Sequence, residues 1–259
     1  MWRVLLARAR QKHRTIGFPD APPTLPDRMR GAPRVDPERC VDGCRACVDA
    51  CPTGAVSVDE RLHLDLGRCL FCTDCTTACP NGAIGYSNEY RLSARNRADL
   101  ILDPELRTRA RTLDDRMLKL FGRSLKLRQV SAGGCNACEA DVSVLGTVVF
   151  DLGRFGIQYV ASPRHADGLL ITGTVPDNMR LALQKTYDAV PPPKIVIAVG
   201  ACAISGGPYI GSGHNKGADA IVPVDLYIPG CPPHPITILD GLLTLLGRIN
   251  PDRYADKRR

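Results

Sequence analysis

Along these 259 residues the rhythm of apolar and polar positions changes near Leu125. Downstream of it, short apolar runs at 125–130, 157–161, 168–172, 194–199 and 221–228 alternate with helically spaced stretches at roughly 139–152, 177–190 and 235–248. Strands alternating with helices predict an α/β domain with a mostly parallel sheet. One connection resists the simplest version of that sheet. Residues 162–167 are too few for a crossover helix, so the strands flanking them are not expected to be simple parallel neighbours. Just upstream, Leu106, Ala110, Leu113, Met117, Leu120 and Phe121 recur at helical spacing and predict a joining helix over about 103–122.

The N-terminal part is patterned differently. Trp2, Val4, Leu5 and Leu6 stand beside Arg3, Arg8, Arg10, Lys12 and Arg14, which predicts a short amphipathic helix able to lie on a membrane surface or a neighbouring subunit. Pro19, Pro22, Pro23, Pro26, Pro33 and Pro37 then favour an extended strap over a helix or a central strand, one expected to wrap a partner. Two similar halves follow, Cys-Pro-Thr-Gly-Ala-Val at 51–56 and Cys-Pro-Asn-Gly-Ala-Ile at 79–84, which is an internal repeat.

Composition narrows the class. With 44% apolar and 24% charged residues the chain reads as globular, and its length suits two domains. Met1–Arg14 has neither the apolar stretch nor the cleavage site of a secretory signal, and nowhere does a run of about 20 apolar residues occur, so a cytoplasmic protein is expected. In that reducing compartment twelve cysteines point to metal ligation or redox chemistry rather than disulfides. The net charge is +7, and residues 1–39 hold nine Lys/Arg against four Asp/Glu. Such a basic arm suits anionic lipid, an acidic partner or nucleic acid, or is simply a solvated extension.

Cys69, Cys72, Cys75 and Cys79, followed by Pro80, fit C-x2-C-x2-C-x3-C-P, the spacing of bacterial two-cluster ferredoxins. Three thiolates on one tight loop take three corners of a cubane, and the fourth reaches the other cluster. Cys40, Cys44, Cys47 and Cys51, followed by Pro52, repeat the pattern with one extra residue in the first gap, where a bulge at Gly43 is expected. Cross-ligation assigns Cys40, Cys44, Cys47 and Cys79 to cluster one, and Cys69, Cys72, Cys75 and Cys51 to cluster two. The alternative is zinc, which more often takes two separated C-x2-C pairs.

Four cysteines remain: Cys135, Cys138, Cys202 and Cys231, in Gly-Gly-Cys-Asn-Ala-Cys, Gly-Ala-Cys-Ala-Ile-Ser-Gly-Gly and Pro-Gly-Cys-Pro-Pro. Each of these segments follows a predicted strand, and loops beyond the carboxyl ends of such strands converge on one sheet edge. Three loops can therefore deliver four thiolates to a third cluster. Four buried structural cysteines are the alternative, although twelve cysteines divide evenly into three sets of four.

Residues 119–246, with these motifs and with Ser-Pro-Arg-His-Ala-Asp at 162–167, resemble the small subunit of energy-converting, membrane-bound nickel-iron hydrogenases of the formate hydrogenlyase type, relatives of the complex I B subunit. Residues 13–90 resemble the two-cluster ferredoxin subunit of the same complexes, which generally keep the two modules on separate chains. The resemblance implies an α+β ferredoxin-like module followed by an α/β flavodoxin-like domain. The expected layout is a basic, Pro-rich arm (1–37), a ferredoxin domain (38–88), a helical linker (89–124), a small-subunit domain (125–250) and a basic tail (251–259). It also implies an oxidoreductase subunit that carries no catalytic centre itself and relays electrons through three 4Fe-4S clusters. The implied partners are a nickel-iron large subunit, other redox subunits or a ferredoxin-type donor, and membrane subunits, with no nucleic acid expected. The chain would sit peripherally at the cytoplasmic side of the membrane. Cys135 and Cys138 are separated as in hydrogenases rather than adjacent as in complex I, which favours the hydrogenase branch over a quinone-linked one. A zinc-stabilised nucleic-acid-binding protein is the remaining alternative. Glu139 and Asp141 are candidates for proton relay or interface contact, with ordinary surface carboxylates as the alternative, Arg164 and His165 for a subunit contact, cluster tuning or a structural turn, and His234 for a hydrogen bond near the third cluster.

Overall fold

A computed structural model of the chain describes residues 1–59, 62–102, 113 and 115–249. In chain order the elements are α1 (Trp2–Gln11), β1 (Pro33–Val35), α2 (Ala46–Asp49), β2 (Val56–Val58), β3 (Leu62–Asp65), α3 (Asp74–Ala78), β4 (Ile84–Tyr86), β5 (Ile101–Leu102) and α4 (Asp115–Phe121). They continue as β6 (Leu125–Ser131), α5 (Ala137–Val144), β7 (Ile157–Tyr159), β8 (Gly168–Thr172), α6 (Asp177–Ala189), β9 (Ile195–Val199), α7 (Ala201–Ser205), β10 (Leu226–Ile228) and α8 (Pro235–Leu245). Of the joining helix expected over 103–122, residues 103–112 and 114 lie outside the described ones, as does the tail from 250 to 259. Residues 89–102 are not helical: Tyr90–Ala94 run buried, Arg97–Leu100 make one 3-10 turn, and β5 pairs with β3. Five consecutive buried residues cannot share one helical face, which is why this half of the linker is not an amphipathic helix.

The second half holds a five-stranded sheet in the order β10-β9-β8-β6-β7, parallel at every pairing. Chain order steps outward in one direction from β6 to β7 and in the other from β8 through β10, the flavodoxin-like arrangement, with its switch point between β6 and β8. As the short connection requires, β7 and β8 are not neighbours; β6 lies between them. A crossover helix is unnecessary because β7 stops where β8 starts, Tyr159 and Gly168 both standing opposite Leu127. The connection instead clings to the start of β6, with Val160 N–H donating to the Leu127 carbonyl and Asp167 N–H to that of Lys126.

Both faces of the sheet are covered, which explains the unbroken apolar runs of β8 and β9, buried along their whole length. Alternate residues separate into two cores. Leu125, Leu127, Leu170, Ile195 and Ile197 pack with α5 and α8, whereas Val130, Leu169, Ile171, Val196 and Ala198 pack with Leu183 of α6 and with the N-terminal module through Leu64, Leu66 and Leu100. The two modules thus share one continuous core. Ala94 and Tyr227 exchange backbone hydrogen bonds across the seam, and on its N-terminal side the two terminal nitrogens of Arg97 donate to both Asp65 carboxylate oxygens at 2.8 and 2.6 Å.

From Phe18 to Ala32 the proline-rich strap forms neither helix nor strand, with turns at 18–20 and 27–28, and it packs on its own chain. Phe18 is buried edge-on against Tyr90, with ring centroids 6.1 Å apart, and Ile16, Leu25 and Met29 pack on the α8 core. Two expected elements are shorter than their patterns. The helix expected over 139–152 ends at Val144, where tighter bonds from Leu145 N–H to Val142 and Gly146 N–H to Ser143 close it before the β-branched run Thr147–Val149. The strand expected over 221–228 is confined to 226–228, because Ile221 and Val222 N–H both donate to the Ala218 carbonyl and form a turn.

Candidate metal centres

At the carboxyl edge of the sheet, β6 leads into Cys135 and Cys138, β9 into Cys202 on α7, and β10 into Cys231. Between them β8 supplies no cysteine but a closely packed turn. Gly173, at φ +87°, lies so near the 132–134 loop that a Cβ would come within 2.5 Å of the Ala132 carbonyl oxygen. Thr172, the last residue of β8, donates its hydroxyl to Glu139 Oε1 at 2.7 Å, and Ser131, the last of β6, donates to the same oxygen at 2.6 Å. Glu139 is thereby held inside the site rather than on the surface. Burial alone would raise its pKa, but these two hydroxyls and its own backbone N–H outweigh that and hold the carboxyl below its usual range.

The four thiols of this edge act on one another. Burial pushes Cys138 well above the ordinary thiol range, and charge on Cys202, Glu139, Cys231 and Cys135 pushes it further. Cys202 is raised to about 11, by burial first and then by Cys231, Cys135 and Glu139. Cys231 is raised by burial, then by Cys135 and by Cys72 of the other module. Thiolates crowded this way are stable only beside a positively charged metal centre, which inverts the local preference for the neutral form. Glycines line the approach to the sulfurs: a Cβ on Gly200 would stand 2.5 Å from Cys138 Sγ, and one on Gly207 would stand 2.7 Å from Cys202 Sγ. Soft sulfur donors from three loops in a glycine-cleared cradle fit an iron-sulfur cluster.

In the N-terminal module the repeat in sequence is a repeat in space. Ala55 N–H donates to Cys51 Sγ and Ala83 N–H to Cys79 Sγ, both at 3.2 Å, with Gly54 and Gly82 at φ +60° and +63°. Cys40, Cys44, Cys47 and Cys79 line one cavity with Leu62, Pro80 and Ala83. Burial raises Cys47, and charge on Cys79 and Cys40 raises it further. Cys79 is instead lowered: its slight burial is outweighed by backbone N–H groups of Ala83, Asn81, Ile84 and Gly82. Gly43, at φ +75°, absorbs the extra residue of the first gap in a turn closed from Cys44 N–H to the Val41 carbonyl. Around the second set, Cys69 is pushed up to about 12 by burial and then by Cys75 and Cys51, while Cys75 is raised by burial and then by Cys51 and Cys72. Among the described residues, no group of three or more His, Cys, Asp or Glu is placed to hold a single metal ion.

Sequence alone did not point to Tyr86. Its hydroxyl lies 3.8 Å from Cys69 Sγ and acts on both Cys69 and Cys75, and its ring packs against Phe71 at 6.0 Å between centroids. His234 lies in the Cys231 loop as a helix cap: Nδ1 accepts from Ile236 N–H at 3.2 Å, and burial lowers its pKa. Asp141, raised by burial, lines a cavity with Cys231, His234, Arg28 and Arg30. Arg164 and His165 are exposed on the 3-10 turn between β7 and β8, away from the cysteine edge.

Residues 39–83 match the 4Fe-4S dicluster domain family, and residues 135–245 match the family described as NADH ubiquinone oxidoreductase, 20 Kd subunit. The chain is 44% identical over 144 residues to formate hydrogenlyase subunit 7 of Escherichia coli, covering 54% of this chain and 55% of that one. It is 41% identical over 134 residues to the probable membrane-bound hydrogenase subunit mbhJ of Pyrococcus furiosus, covering 51% of this chain and 80% of that one. A subunit of the NADH-quinone oxidoreductase of Clostridium beijerinckii is 45% identical over 119 residues, covering 45% of this chain and 70% of that one. These relatives are subunits of oxidoreductase complexes by name, and the chain spans only about half the length of the first of them. On the matched motifs, the parallel sheet and these identities, the chain belongs to the NADH ubiquinone oxidoreductase 20 Kd subunit family and carries a 4Fe-4S dicluster domain ahead of it.

Proposed function

We propose that the chain relays electrons through three 4Fe-4S clusters to or from the nickel-iron site of a partner large subunit in a membrane-associated hydrogenase complex. Each cluster, when bound, accepts and releases one electron at a time. Cys40, Cys44, Cys47 and Cys79 would hold the first, Cys69, Cys72, Cys75 and Cys51 the second, and Cys135, Cys138, Cys202 and Cys231 the third. The observation that carries this reading is the succession of neighbouring thiols. Cys79 acts on Cys47, Cys51 on Cys69 and Cys75, and Cys72 on Cys231. The relay would therefore run from the dicluster module through Cys72 and Cys231 to the exposed Cys135, where a partner can approach. The chain's own residues set spacing and potential: Tyr86 and backbone amides donate toward sulfur, and Glu139 places a negative charge beside the third set.

The relatives named for hydrogenase and hydrogenlyase support a nickel-iron partner. All twelve cysteines are used by the three clusters, so the nickel site would lie on another subunit. A second reading, electron delivery to quinone in a complex I-like assembly, is favoured by the identity to the NADH-quinone oxidoreductase relative. The Cys135-x2-Cys138 spacing supports the first reading. Peripheral placement is supported by the names of the relatives; among the described residues, no helix is long and apolar enough to cross a membrane. The deciding experiment is the nickel content and hydrogen-dependent dye reduction of the native complex purified through this subunit. Nickel with hydrogen activity is the expected result, whereas an iron-rich complex with quinone reductase activity and neither nickel nor hydrogen activity would replace this reading with the second.

A further inference from the structure

We propose that α1 is an in-plane anchor that docks the chain on an anionic lipid surface. Trp2, Leu5, Leu6 and Ala9 are spaced i, i+3, i+4 and i+7 and form one apolar strip. No residue of this helix is buried, and the strip is open to solvent, with Trp2 at 72%, Leu5 at 57% and Leu6 at 42% exposure. At 100° per residue, Arg3 and Arg10 border the strip on one side and Arg8 on the other, and Lys12 follows directly after the helix. The chain carries no acidic residue before Asp20.

Charge decides the occupant. A narrow apolar strip flanked on both sides by arginines, with an aromatic at one end, lets the apolar side chains enter the acyl boundary while the guanidinium groups stay at anionic headgroups. The helix is tied to the body nearby. Thr15 Oγ1 donates to the Val148 carbonyl at 2.8 Å, Ile16 N–H donates to that of Val149 at 2.9 Å, and Arg154 donates to the Ile16 carbonyl at 3.1 Å. Val148 and Val149, themselves 67% and 40% exposed, thus mark a second outward apolar spot beside the root of the anchor. This inference is independent of how many clusters the chain holds.

Trp2 is the only tryptophan of the chain, so its fluorescence reports on α1 directly. The full-length chain, loaded with iron and sulfide, is mixed with vesicles of phosphatidylcholine alone or with about one third phosphatidylglycerol, and flotation and Trp2 emission are followed. The expected result is flotation and a blue shift only with the anionic vesicles, reversed by high salt and lost in Leu5→Glu, while the visible iron-sulfur absorbance stays unchanged. No flotation on anionic vesicles, or undiminished flotation of Leu5→Glu, would overturn the proposal. So would a Trp2 shielded only in the detergent-purified complex, which would assign the strip to a neighbouring subunit.

Discussion

On the three-cluster proposal, Tyr86 and Glu139 are single side chains placed to bias a cluster without ligating it. A hydroxyl that donates to ligand sulfur stabilises the negative charge of the reduced state, so Tyr86→Phe should lower the potential of the second cluster by roughly 40 mV, the equivalent of about 1 kcal/mol for one electron. Potentiometric titration followed by EPR checks this, with iron content unchanged. Glu139 acts in the opposite sense, since its carboxylate opposes added negative charge beside Cys138 and Cys202. Glu139→Gln should raise the third potential by a similar roughly 40 mV, leaving the other two in place. The dicluster region was legible in the sequence because the spacing of Cys69, Cys72, Cys75 and Cys79 is that of ferredoxins, and residues 39–83 match that family. Tyr86 was not, because only the fold of β4 brings it to a sulfur seventeen positions away. Glu139 was legible as a candidate, but its setting was not, because its partners Ser131 and Thr172 end two different strands.

Among the elements, the loops after β6, β9 and β10 do the gathering, and their glycines permit it. Gly200→Ala places a Cβ 2.5 Å from where Cys138 Sγ stands, at a φ of +89° that alanine also resists. The variant should lose the third cluster while retaining the EPR signals of the first two, with iron falling by about a third. The alternation of strands and helices, and the non-adjacency of β7 and β8, could be read from apolar runs and one connection too short for a helix. The ends of α5 and β10 could not. They are set by tight turns at Val142–Gly146 and Ala218–Val222 that override the apolar pattern. The strap's proline content revealed that it would not be helical but not its target, since burial of Phe18 against Tyr90 is a contact between distant segments.

At the scale of the whole molecule, two modules that share a core fix the distance between the Cys72 and Cys231 loops. On the N-terminal side of that seam Arg97 donates to both oxygens of Asp65, bracing the segment that leads toward the second domain. Arg97→Met should leave Asp65 with only the Gly67 N–H at 2.8 Å and the longer contact to Arg68 at 3.6 Å, and cost roughly 1 kcal/mol of stability, visible as a lower midpoint in denaturant unfolding of the cluster-loaded chain. The central claim, three clusters held by three separate sets of four cysteines, is tested most directly by the iron and acid-labile sulfide content per chain of the full-length protein beside its Cys202→Ser variant. About twelve of each in the parent and about eight in the variant, with the dicluster EPR signals retained, is the predicted result. About eight of each in both proteins would contradict it.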